Sequence, residues 1–63
     1  MKNSYKEALD LALKESVEEP NNPTYVYPDI FGCWYVATFI GGAPVDFPFK
    51  AVCENGKILK EVE

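Results

Sequence analysis

The sequence predicts an α+β fold, an N-terminal amphipathic helix packed on a three- to four-stranded antiparallel meander sheet, and three observations carry that expectation. Apolar residues recur at spacings of three and four through the first third of the chain. Two β-prone runs then follow, each closed by turn residues, and an Asn-Gly pair near the C-terminus sits between alternating segments. A chain of 63 residues buries only roughly 60% of its unfolded surface, too little to divide, so residues 1–63 are expected to form a single domain.

The helix comes first. Ser4 with Glu7 three positions later is a capping-box pattern, in which each side chain satisfies a backbone N–H at the helix start, and this places the first turn at about Tyr5. Tyr5, Ala8, Leu9, Ala12, Leu13 and Val17 then share one face, with Lys6, Glu7, Asp10, Lys14, Glu15 and Glu18 on the other. Pro20 and Pro23 remove donors and disfavour helical backbone before them, so the helix should stop by Glu19. Glu15, Glu18 and Glu19 lie at the negative end of the helix dipole, and tertiary packing must hold that end.

Thr24 to Tyr27 reads as a short strand closed by Pro28 and Asp29, and Cys33 to Ile40 as a longer one closed by Gly41 and Gly42. Phe47 to Cys53 alternates and runs into Asn55-Gly56, the preferred pair for a type I′ hairpin because both positions need positive φ. A two-residue loop would pair Glu54 with Lys57, Cys53 with Ile58, Val52 with Leu59, Ala51 with Lys60, Lys50 with Glu61 and Phe49 with Val62. In that register Leu9, Leu13, Phe49 and Ile58 are expected to be buried together, with Lys60 an exception on the apolar face. In the Cys33–Ile40 run neither alternating set is polar: Trp34, Val36, Thr38 and Ile40 face one way, Cys33, Tyr35, Ala37 and Phe39 the other. One helix covers one face. The other needs a partner, a second copy or the loop from Pro20 to Pro28 as cover.

Composition bounds the chemistry. The formal charge is −4, and from Glu15 to Phe49 there are five acids and no lysine, which opposes binding to phosphates there. With no Arg and six scattered Lys, neither nucleic acid nor an anionic membrane surface is an expected partner. No His is present, and Cys33 and Cys53 stand twenty positions apart without a CxxC pair, so no metal and no cofactor is expected. Two reduced, buried thiols are favoured over a lone disulfide. No signal peptide precedes the helix, and no apolar run approaches the ~20 residues that span a bilayer, from which a cytoplasmic location is expected. A domain taken from a longer exported protein would carry the same pattern.

Two Ser, both in or beside the helix, leave no nucleophile–base pair, and the chain is not expected to be an enzyme. Asp29 and Asp46 are each beside a turn, and turn chemistry is favoured over a carboxylate dyad. Cys33 lacks a cationic neighbour in sequence, and Gly41-Gly42 lacks the lysine and following helix of a phosphate loop. The aromatics point to recognition instead. Tyr25, Tyr27, Phe31, Trp34, Tyr35 and Phe39 fall within fifteen positions, and such residues are enriched at binding hot spots. With Trp34 turned to the helix, the expected partner-binding set is Tyr25, Tyr27, Phe31, Tyr35 and Phe39.

The order of a helix carrying Glu7-Ala8-Leu9-Asp10-Leu11-Ala12, a strand with Trp34-Tyr35-Val36, and a closing segment from Phe49 to Leu59 resembles PepSY domains. The strand-turn-strand ending is also similar to small bacterial immunity proteins of the YrhB type. The first resemblance implies a protease-modulating module, the second a toxin-neutralising or chaperone-like protein, and both imply a non-catalytic chain. The sequence departs from the PepSY context in lacking an export signal and in having Asn55 where an acidic residue or Thr usually precedes the turn glycine. The functional expectation is thus a small acidic protein-binding module, an inhibitor or modulator meeting a partner protein with a basic surface. The alternative is a structural subunit that homodimerises through an open aromatic sheet face.

Overall fold

A computed structural model describes residues 4–62, and among these one helix and four strands form an α+β fold with an open antiparallel sheet. The helix α1 spans Tyr5–Glu18, capped as expected: Glu7 donates its N–H to Ser4 Oγ, and Ser4 donates its own N–H to the Glu7 carboxylate. The strands are β1 (Thr24–Pro28), β2 (Trp34–Thr38), β3 (Ala51–Glu54) and β4 (Lys57–Glu61). No helix among the described residues is long and apolar enough to cross a membrane.

The sheet order is β2-β1-β3-β4, not the expected meander. β1 and β2 form one hairpin and β3 and β4 another, and the chain between β2 and β3 crosses β1 to reach its far edge. That crossing has a driving force, because it carries Phe47 and Phe49 onto the aromatic face of β1 and β2. β1 becomes central, with Thr24 and Val26 fully buried beneath the helix.

Small residues dominate the contact between helix and sheet. Ala8, Ala12 and Ser16, spaced by four, form one buried ridge, and opposite them lie Thr24, Val26, Ala51 and Cys53, also buried. Tyr5, Leu9, Leu13, Trp34 and Val36 are half-buried around this seam, with the Tyr5 and Trp34 rings 4.9 Å apart. Val17, expected in the core, is exposed, because the ridge ends on Ser16. The Ser16 hydroxyl donates to the Leu13 carbonyl and accepts the Gly56 N–H at 2.8 Å, tying the helix to the distal hairpin.

The hairpin turn is as expected, with Asn55 at φ 51° and Gly56 at φ 81°. Its register holds for Glu54–Lys57 and Cys53–Ile58 and then shifts, Val52 pairing with Lys60 and Ala51 with Glu61. Leu59 is the extra residue of a β-bulge. The bulge corrects the expected Ala51–Lys60 and Lys50–Glu61 pairs: it moves Lys60 off the helix face and brings Glu61 onto it, where the Tyr5 hydroxyl donates to its carboxylate at 2.8 Å. Burial of Tyr5 and then this carboxylate push the phenol up to about 12. The expected grouping of Phe49 and Ile58 with Leu9 and Leu13 also fails. The chain bends at Lys50, whose N–H donates to Val26, and Phe49 turns to the opposite face against Tyr25, while Ile58 is exposed.

Two substitutions test the seam and the turn. Ala12→Leu should destabilise the protein by about 1–3 kcal/mol, as overpacking does, and chemical denaturation measures it. Gly56→Val should cost about 1–3 kcal/mol, because φ is positive and a Cβ there would stand 3.0 Å from Val17 Cγ2. An unchanged unfolding midpoint for either variant would contradict the corresponding packing.

Candidate functional site

The face of the sheet turned away from α1 is aromatic. Alternation places Tyr25 and Tyr27 of β1 and Tyr35 and Ala37 of β2 there, with Phe39 just beyond the strand. The split between Trp34 and Val36 on one side and Tyr35 and Phe39 on the other is therefore as expected, but the face is not open. Phe47, from the crossing segment, sits edge-on to Tyr25, Tyr27 and Phe39 with centroids 5.7, 5.1 and 4.8 Å away. Phe49 packs on Tyr25 at 5.2 Å, and Tyr25 meets Phe39 at 5.6 Å. The cover is the β2–β3 crossing and not the loop from Pro20 to Pro28, part of which is strand β1 itself. Tyr25, Tyr27 and Phe39 are half-buried members of a second core.

The two remaining candidates differ. Tyr35 lies against Tyr27 at 5.8 Å and keeps 46% of its surface exposed, and Phe31, 71% exposed, stands in the β1–β2 turn rather than in the cluster. Beside it Ile30, which sequence reasoning passed over, is 91% exposed. An isoleucine in a turn carries no polar signal, and its place beside a hydrogen-bonded Asp29 is visible only in the structure.

Asp29 organises the turn. One carboxylate oxygen accepts the N–H groups of Phe31 and Cys33, both at 2.8 Å, and the other accepts the Tyr35 hydroxyl at 3.1 Å. The Asp29 N–H donates to the Cys33 carbonyl, and Gly32 takes φ 83° to close the loop. Desolvation raises the Asp29 pKa, but the N–H groups of Cys33 and Phe31, the Tyr35 hydroxyl and the Gly32 N–H outweigh it and hold the carboxyl below its ordinary value. The same bond raises the Tyr35 phenol. Turn chemistry thus accounts for Asp29. Asp46, at φ 62°, lies in the crossing segment.

Both cysteines are free thiols: Cys53 is buried under the helix, where burial first and Glu61 second push its pKa up, and Cys33 is only half-buried ahead of β2. A cleft of about 260 Å³ is lined by Glu19, Asn22, Thr38 and Ile40, none of them cationic, and the Thr38 hydroxyl is already hydrogen-bonded to that of Thr24. Among the described residues no group of three His, Cys, Asp or Glu side chains converges on a common point. No protein-family model, curated protein or solved structure matches the chain.

The Asp29 bonds give a pH dependence of known sign. Because the folded-state pKa is depressed, the stabilisation is complete above the ordinary carboxylate value of about 4 and is lost as pH falls through the lower folded value. Glu7, bonded to the Ser4 N–H and hydroxyl, acts in the same direction. The melting temperature should fall on acidification below about pH 4, and the gap between the wild type and Asp29→Asn should narrow over that interval. A constant gap would show that the Asp29 charge does not hold the turn.

Proposed function

We propose that the chain is a non-catalytic protein-binding module, an inhibitor or modulator of another protein, and that its contact surface is the β1–β2 turn with the adjoining Tyr35. One observation carries this reading: Ile30 is presented almost fully and Phe31 largely to solvent, on a turn whose backbone is hydrogen-bonded to the Asp29 carboxylate. Exposed apolar side chains on a mobile loop would lose conformational entropy on docking. On this turn much of that cost is met in folding, which is the usual route to affinity from a small surface. Tyr35 adds an amphipathic ring at its flank, backed by Tyr27, while Tyr25 and Phe39 belong to the aromatic cluster at the far end of the hairpin and lie outside the proposed contact.

The net charge of −4 favours a partner with a basic surface, acting chiefly on association rate and specificity. The outward sheet face is a weaker candidate than its composition suggests, since Phe47 and Phe49 already lie across it.

The test is affinity capture from the source cell with wild type and with Ile30→Ser/Phe31→Ser, both shown to melt alike. A specific partner held by the wild type should be lost from the double variant, as for central interface anchors worth about 2 kcal/mol or more. Equal retention of that partner would remove the turn from the contact surface.

A further inference from the structure

The two outer strands of the sheet are unlike. β4 carries Lys57, Lys60 and Glu61 and a bulge at Leu59, devices that discourage an edge from pairing with another chain. β2, Trp34-Tyr35-Val36-Ala37-Thr38, has no charge, no proline and an unbroken register with β1. The neutrality extends well beyond the strand: from Ile30 to Val45 there is no charged residue, so the entire net charge of −4 lies elsewhere.

The phase of the β1–β2 ladder says which groups this edge offers. The Asp29 N–H bonds the Cys33 carbonyl, and hydrogen-bonded pairs alternate in an antiparallel ladder, so Tyr35 and Ala37 turn their backbone groups toward β1. In agreement, the Val26 carbonyl, at an alternate position, faces β3 and accepts the Lys50 N–H. The N–H and C=O groups of Val36 and Thr38 therefore point away from the sheet.

We propose that the β2 edge pairs antiparallel with the β2 edge of a second copy of this chain, on a two-fold axis at Ala37, joining two four-stranded sheets into one. In this register Val36 of each copy exchanges backbone hydrogen bonds with Thr38 of the other. Tyr35 lies opposite Phe39 of the second copy and Ala37 opposite Ala37, an aromatic pair flanking a small one, with no like charges opposed. The seam is short, so association is concentration-dependent rather than permanent. The proposal does not depend on the binding role of the Ile30–Phe31 turn.

Sedimentation equilibrium from low micromolar to millimolar protein tests it. The wild type should pass from 7.1 kDa toward twice that mass as concentration rises. Ala37→Lys and Ala37→Glu, which set like charges face to face on the axis, should each remain at the lower mass, and their equimolar mixture should regain the higher one. In the wild type alone, hydrogen exchange at the Val36 and Thr38 amides should slow with concentration, a readout that needs no variant to fold. A wild type of constant mass, variants that associate as it does, a mixture that stays monomeric, or amide exchange independent of concentration would each overturn the proposal.

Discussion

Close approach of helix and sheet is the constraint on which the rest of this structure depends. The ridge of Ala8, Ala12 and Ser16 has almost no side chain to hold α1 away, and the residues facing it, Thr24, Val26, Ala51 and Cys53, are small as well. Packing of this kind gives many short-range contacts but little apolar area. The fully buried residues of the seam include no Leu, Ile or aromatic. The large side chains must find cover elsewhere, and Tyr25, Tyr27, Phe39, Phe47 and Phe49 do so on the opposite side of the sheet. The crossing of β1 by the segment between β2 and β3 is the topological consequence. It turns one exposed face into a second small core, and it sets β1 and β3 inside the sheet, where Ala51, Val52 and Cys53 of β3 are all buried.

The same proximity governs the polar groups. Ser16 reaches the Gly56 N–H only because nothing larger separates the helix from the β3–β4 turn, and Gly56 tolerates the approach of Val17 because it has no Cβ. At the other end of the helix, Tyr5 spans to Glu61. These two contacts bracket β4, whose own side chains are all exposed, and they account for how an outer strand with so little burial stays in place. The bulge at Leu59 serves this arrangement. Without it Lys60 would occupy the helix face, and Tyr5 would have no acceptor there.

Local features were readable from sequence because their causes are local. The capping box at Ser4 and Glu7, the helix stop before Pro20, the Asn55–Gly56 turn and the parity of β2 each follow from a few neighbouring residues, and each appears as expected. The features that were misread depend on contacts distant in sequence. Periodicity alone groups Val17 with Ala8 and Ala12, and only the packed structure shows Ser16 buried in its place. Alternation through Phe47 to Cys53 predicts a strand longer than β3, since the pattern does not register a bend at Lys50 that redirects Phe49. The strand order was likewise hidden, because a segment from Phe39 to Lys50 is long enough to lead to either edge of the hairpin. Of the five aromatics proposed as a contact set, Tyr25, Tyr27 and Phe39 were drawn into the second core by Phe47, a residue whose own placement follows from that order.

The distribution of charge bears on what such a surface can recognise. Acidic residues gather at the end of α1, where Glu15, Glu18 and Glu19 lie, whereas the run from Ile30 to Val45 is neutral. Asp29, at the base of the exposed turn, directs its carboxylate inward to two backbone N–H groups and a phenol. It keeps its negative charge, but the carboxylate is engaged within the turn, and Ile30 and Phe31 open the stretch to Val45 that carries no charged residue. A basic partner would be steered by the field of the whole molecule over distances approaching the ~8 Å Debye length, yet would meet apolar side chains at the point of contact. Under this division, added salt should slow association while leaving dissociation nearly unchanged, because the groups that hold the partner are not those that attract it. Stopped-flow or surface-binding kinetics on a captured partner separate the two: a dissociation rate that rises steeply with salt would place acidic side chains inside the contact, and the neutral turn could not then be its centre.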